Sequence, residues 1–243
     1  MNYLSNLIVS ENKGENIFPY NLPIFKNGLK MEFKKPITFI IGDNGTGKST
    51  LLESIAYKIG FNVLGGNKNH SYYNSKVNDN LKLADNMKLI WDNKTSNGFF
   101  FRAESFLNFS EYLEDMAIEN GKGMFSAYGG KSLIKQSHGE SFLALFQNKF
   151  QDGIFILDEP EAALSAERQL SLIAIISDLC RSGKCQFIIA THSPLLITLP
   201  NSQIYEVNGD KLEQKKYDET KQFSLYKNYL NAPEKYLKYL VEE

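Results

Sequence analysis

The chain has 243 residues, 42% of them hydrophobic, and a formal net charge of −1. That length suffices for one large α/β domain or two small ones with a sizeable core, and the hydrophobic content excludes wholesale disorder. The near-zero charge excludes a global basic field for nucleic acid while leaving a local groove open, and no apolar run approaches the ~20 residues of a membrane span.

The first 13 residues lack a charged stretch followed by an apolar one, so no signal peptide is read. Residues 1–35 read as a short β-rich lead-in: 16–23, aromatic and proline-punctuated, is extended, and 29–33 is a short strand. Residues 36–41 form an apolar strand that runs into Gly42-Asp43-Asn44-Gly45-Thr46-Gly47-Lys48-Ser49, and a helix over 50–59 follows. This is the pattern G-x-x-x-x-G-K-[ST] in its strand–loop–helix context. Glycines let the backbone turn its N–H groups onto a phosphate chain, and the helix start adds a positive dipole end. Lys48 brings a point charge to the β- and γ-phosphates, and the Ser49 hydroxyl suits Mg²⁺.

Residues 60–80 turn polar and Asn-rich and read as a loop excursion, a candidate partner surface. Residues 89–92 and 99–101 read as strands joined by a turn at Asn97-Gly98. Apolar residues at helical spacing predict a helix over 104–118, a glycine-rich loop follows at 120–130, and Ser137-His138-Gly139-Glu140-Ser141 opens a helix reaching 150. The apolar run 154–157 ends on Asp158-Glu159, the form of a Walker B strand, which supplies a metal ligand and a candidate base. An amphipathic helix spans 166–181, and a strand at 186–190, buried on both faces, ends at Thr191-His192-Ser193-Pro194. A closing hairpin pairs 204–207 with 211–214, and two terminal helices split at Ala232-Pro233. Cys180 and Cys185 lack a convincing third ligand and read as reduced structural thiols. Phe18, Tyr20 and Phe25 are candidates either for stacking on a base or for packing. Strands alternating with helices predict α/β architecture, a mostly parallel sheet flanked by helices.

Ser137-His138-Gly139-Glu140 stands before a helix about 20 residues ahead of Asp158, residues 160–165 directly follow Glu159, and Thr191-His192-Ser193 closes the next strand. In this order the chain resembles the ATP-binding-cassette (ABC) ATPase superfamily, over nearly its whole length from about Phe18. More narrowly it is similar to the small stand-alone ABC-type ATPases of bacteria catalogued as AAA-family ATPases. Those carry stretches like Phe101-Arg102-Ala103-Glu104-Ser105-Phe106 and Gln136-Ser137-His138-Gly139-Glu140-Ser141.

The resemblance implies a P-loop NTPase of the ABC type in one domain over 1–243, with an N-terminal antiparallel β portion and a helical signature region at about 103–150. It implies that residues 42–49 and Thr50 bind ATP and that Ser49 and Asp158 hold Mg²⁺. Lys48, Glu159 and His192 then serve hydrolysis to ADP and phosphate, Glu159 polarising the water and His192 sensing the γ-phosphate. Ser137, Gly139 and Glu140 match the signature that contacts the γ-phosphate held by the opposite subunit, and residues 161–165 match the loop linking the two sites. An ATP-dependent head-to-tail homodimer follows, with nucleic acid or another protein left open as a further partner.

Two departures shape the functional expectation. No glutamine lies between Lys48 and Lys135, where the family carries its Q-loop; Glu104 is a candidate substitute as a second Mg²⁺ contact and equally a helix N-terminal acid, while Arg102 reaches a phosphate or pairs with Glu104. His138 replaces a signature glycine. The missing membrane span, missing signal peptide and reduced thiols point to the cytoplasm, and these changes favour a non-transporter ATPase in DNA repair, defence or regulation; the alternatives are the motor subunit of a membrane transporter and a nucleotide sensor within a heteromeric complex.

Overall fold

The computed structural model describes residues 2–11, 17–70 and 81–241. In chain order the first half comprises β1 (Leu4–Val9), α1 (Pro23–Lys26), β2 (Leu29–Glu32), β3 (Ile37–Ile41), α2 (Lys48–Ile59), α3 (Lys82–Asp85), β4 (Met87–Trp91), β5 (Gly98–Arg102) and α4 (Phe106–Asn120). The second half comprises α5 (His138–Lys149), β6 (Gly153–Asp158), α6 (Ala166–Arg181), β7 (Cys185–Ala190), β8 (Ser202–Asn208), β9 (Lys211–Lys215), α7 (Lys221–Asn231) and α8 (Pro233–Val241).

The strands form a six-stranded sheet in the order β5-β6-β7-β3-β8-β9 and a three-stranded sheet in the order β2-β1-β4. In the large sheet β5, β6, β7, β3 and β8 pair in parallel and β9 closes it antiparallel; the small sheet is antiparallel throughout. The expected α/β architecture is therefore present, with its antiparallel β portion built from both sides of the P-loop.

The period-two geometry of a strand sends alternate side chains to opposite faces. Phe99, Phe101, Phe155, Leu157, Phe187 and Ile189 face one core, which packs against Phe109 of α4 and Phe142 and Phe146 of α5. Phe100, Ile154, Ile156 and Ile188 face a second core shared with Leu51, Leu52 and Ile55 of α2 and with the small sheet, against which the half-buried Trp91 packs. The first core is laminated from aromatic rings: Phe150 stacks on Phe155 with centroids 4.2 Å apart, and Phe101 meets Phe142 edge-on at 4.7 Å. Such pairs add about 0.5–1.5 kcal/mol each beyond the area they bury.

Three expectations differ from the structure. Residues 89–92 and 99–101 do not form a hairpin, because β4 joins the small sheet and β5 the large one. Residues 18–21 are turns rather than extended chain, with Asn21 N–H donating to Ile17 O and Leu22 N–H to Pro19 O at 3.0 Å. The glycine-rich stretch folds into a 3₁₀ helix over Lys122–Tyr128. Of the polar excursion, 71–80 lies outside the described residues, while Gly66 bridges Phe100 through paired backbone hydrogen bonds of 2.7 and 2.9 Å.

The topology places chemistry at one edge. Because β5, β6, β7 and β3 are parallel and in register (Arg102 opposite Asp158, Asp158 opposite Ala190, Ala190 opposite Ile40), their C-terminal ends converge. Ligands of open parallel sheets bind at that edge.

Candidate nucleotide site

The loop after β3 turns on Gly47, which caps α2 with φ 96. A Cβ there would stand 2.8 Å from the Phe25 ring, so only glycine fits both the backbone and the space. Lys48 is 6% exposed, and its ammonium donates to the carbonyls of Gly42 (2.8 Å) and Asp43 (2.9 Å). Burial holds Lys48 below the ordinary lysine range, opposed by the carboxylates of Glu159, Asp158, Asp43 and Glu161. Asn44, Gly45, Thr46, Gly47, Lys48, Ser49 and Thr50 line a cavity of about 680 Å³ together with Phe18, Leu22, Glu159 and His192. Of the three upstream aromatics, Phe18 alone lines this cavity, while Tyr20 and Phe25 are core.

Below the loop, Ser49 Oγ donates to Asp158 Oδ1 at 3.1 Å. Asp158 is 4% exposed; burial pushes its pKa up to about 6, against the pull of Arg102 and the Ser49 hydrogen bond. A hydroxyl beside a carboxylate, both hard oxygen donors, fits Mg²⁺. Glu159 takes a left-handed backbone (φ 51), a strain of about 1–2 kcal/mol for a residue with a Cβ. Its N–H bonds Ala190 O at 3.0 Å, which fixes that turn to the end of β7. The Glu159 carboxylate lies 3.6 Å from His192 Nε2, which makes no hydrogen bond. His192 is positioned through its backbone: its N–H donates to Glu161 Oε1 at 2.6 Å, and its carbonyl accepts from the Gln222 side chain of α7. Burial and then Lys48 lower the His192 pKa, which favours neutral imidazole.

The Ser137 segment does not line this cavity. Ser137 caps α5, and its N–H donates to Glu140 Oε2 at 3.1 Å in a capping box. Hydrogen bonding to Ser137 lowers the Glu140 pKa. Arg168, in the first turn of α6, donates from Nη1 to Ser137 Oγ at 3.3 Å and lies 3.7 Å from Glu140. The guanidinium rests on Gly139, where an added Cβ would come 2.2 Å from Nη1. Glu104 sits on the 3₁₀ turn Ala103–Ser105, 79% exposed and paired with Arg102 at 2.9 Å; Arg102 rather than Glu104 is the residue of this segment ion-paired with Asp158.

A family profile for the AAA domain matches residues 13–243. The chain belongs to the AAA-domain family. An uncharacterized ABC transporter ATP-binding protein of Methanocaldococcus jannaschii is 26% identical to it over 199 residues, 74% of this chain and 67% of the relative. Among solved structures, an ATP-binding cassette of an ABC transporter superposes with TM-score 0.56 at 17% identity, covering 96% of this chain and 97% of that one. The ADP conformation of an ABC transporter's cassette gives TM-score 0.53 at 16% identity, covering 99% and 100%. A bacterial ABC transporter cassette solved as a dimer gives TM-score 0.54 at 12% identity, covering 87% and 98%. The fold of this AAA-domain protein is thus that of an ABC ATPase cassette.

Three contacts of this cassette were not read from its sequence. Glu53, which pairs with Arg102 at 2.7 Å and lies four residues after Ser49 on the same helix face, carried the only local signal, an acid at a buried helical position. Arg168 reaches Ser137, and Gln222 reaches the His192 carbonyl, from distant elements, and no spacing rule links them.

Proposed function

We propose that the chain binds and hydrolyses ATP, and that it does so as a head-to-tail dimer with two nucleotides between the subunits. The observation that supports this most is the convergence of Lys48, Glu159 and His192 on one cavity floored by residues 44–50, with the Ser49–Asp158 pair directly beneath.

In this reading the loop amides and the Lys48 ammonium hold the phosphate chain, and Phe18 and Leu22 supply the apolar wall for the base. Ser49 and Asp158 would hold Mg²⁺, which would neutralise phosphate charge when bound. Glu159, held in its strained turn, orients a water toward the γ-phosphate, and the neighbouring neutral His192 accepts or donates a hydrogen bond there. Ser137, at the start of α5, offers its hydroxyl and the helix N-terminus to the nucleotide of the opposite subunit, since it does not reach the nucleotide cavity of its own. Residues 161–165 connect the two sites through the Glu161 bond to His192 N–H.

Glu159→Gln is expected to lower turnover about 10²–10⁴-fold and to leave a dimer in the presence of Mg-ATP by size-exclusion chromatography with light scattering. A strictly monomeric variant at saturating Mg-ATP would overturn the dimer. We propose a non-transporter role, supported by the absence of a glutamine between Lys48 and Lys135. The names of the similar cassettes favour a second reading, a motor docked on a membrane partner; co-purification of the native chain with a membrane-spanning protein decides for it.

A further inference from the structure

The end of β5 is occupied by an arginine. Arg102 is the last residue of that strand and stands in register with Asp158. Its guanidinium is held at two corners: Nη1 lies 2.7 Å from Glu53 Oε1 and Nη2 lies 2.9 Å from Glu104 Oε2. Glu53 belongs to α2, one turn beyond Ser49, and its side chain is 3% exposed. The third corner, Nε, is buried, makes no hydrogen bond, and lies 3.8 Å from Asp158 Oδ2.

The Nε–H is thus a buried donor that stands near a carboxylate yet beyond bonding distance, and it stays unsatisfied. Two carboxylates, Glu53 and Asp158, are taken out of water within reach of one guanidinium. A divalent cation at the Ser49–Asp158 pair would draw on the same Asp158 carboxylate and would face a like charge beside it. Arginine keeps its charge and has no oxygen to offer a metal, whereas glutamine is neutral and carries an amide oxygen.

We propose that Arg102 is a built-in counter-cation of the metal site. Anchored on Glu53 and Glu104, it offsets the Asp158 charge while no metal is bound and competes with Mg²⁺ for that carboxylate when the ion arrives. It is a positioning residue that acts through Asp158, and it sets the Mg²⁺ concentration at which nucleotide is captured tightly. This inference rests on the nucleotide reading above and adds a regulator to it.

The test is isothermal titration of ATP at a series of Mg²⁺ concentrations and in EDTA, with the full chain and with Arg102→Gln and Arg102→Lys. Removing one cation near a carboxylate changes its affinity for a competing cation by about tenfold or more. Arg102→Gln is therefore expected to lower the Mg²⁺ midpoint by about that factor, and Arg102→Lys to stay near the parent. A midpoint that is unchanged or higher in Arg102→Gln overturns the proposal. An Arg102 that is only structural would lower the melting temperature and leave the midpoint where it was. Since Arg102→Gln removes the cation 2.7 Å from the buried Glu53 carboxylate, the double variant Glu53→Gln/Arg102→Gln removes both charges and is expected to show the same shift. A parent chain that binds no ATP removes both readings, whereas one that binds ATP with a midpoint indifferent to Arg102 removes this one alone.

Discussion

Gly139 shows how one missing side chain organises a motif. The Arg168 guanidinium lies against its Cα, reaches Ser137 Oγ and Glu140, and so joins the start of α5 to the start of α6. Gly139→Ala would place a methyl group inside that guanidinium and must push Arg168 off Ser137. Overpacking of this kind costs about 1–3 kcal/mol, read as a lower midpoint in urea unfolding, and the loss is expected to vanish when Arg168→Ala is combined with it, because the clash partner is gone. At this scale the sequence was most legible where the chemistry is contiguous. The eight residues from Gly42 to Ser49 and the pair Asp158-Glu159 carry their spacing with them, and the parallel strands bring them to one edge. It was least legible where a charge finds its partner on another element. Arg102 sits beside Glu104 in sequence, which invited reading the two as one pair, while the shortest of its ion pairs is with Glu53 on α2.

Among the elements, β4 and β5 show the limit of local patterning. Asn97-Gly98 between two apolar runs has the composition of a hairpin turn, yet Gly98 begins β5 at φ 140, and a Cβ there would stand 1.8 Å from Ile154 O. The glycine answers the close approach of β5 to β6, a contact with a strand more than fifty residues later. The parallel strands were readable because burial on both faces produces unbroken apolar runs, and the longer helices because one buried face repeats at helical spacing. His70 marks where the described part of the excursion docks on this framework: its ring lies edge-on to Phe109 (5.2 Å) and Phe99 (6.1 Å), and its Nδ1 accepts from Asn67 N–H at 2.9 Å. Burial pushes its pKa down to about 4. Because the folded value lies below the unfolded one of about 6.5, the unfolded chain binds the extra proton between them. Stability from this group is complete above pH 6.5 and is lost as pH falls toward 4. The full difference amounts to about 3 kcal/mol. Unfolding free energies measured from pH 7 to pH 4 should fall less steeply for His70→Gln than for the parent by about that amount; parallel curves would show that His70 does not titrate with folding.

For the whole molecule, the large sheet is a shared wall between two cores, one capped by α4 and α5 and the other by α2 and the small sheet. The candidate nucleotide cavity draws on the wall and on the chain before the P-loop, since Phe18 and Leu22 line it together with Glu159 and His192. Ligand binding there should stabilise the folded state as a unit. At about a hundredfold excess over Kd, Mg-ATP is expected to add about 2.7 kcal/mol and to raise Tm by about 5–10 °C for a chain of this size. Scanning calorimetry reads the shift, and Lys48→Ala should abolish it. No helix among the described residues is long and apolar enough to cross a membrane.

The division into two cores also has an optical side. The chain contains a single tryptophan, Trp91, and it lies in the small sheet, paired through the register with Leu4, while the laminated core opposite is built from phenylalanine and tyrosine rings. Red-edge excitation therefore lights one address only. Indole emission reports the environment of the small sheet and is blind to the phenylalanine layer, whereas far-ultraviolet circular dichroism averages over both, so the two signals followed side by side resolve whether the halves of this protein come apart together.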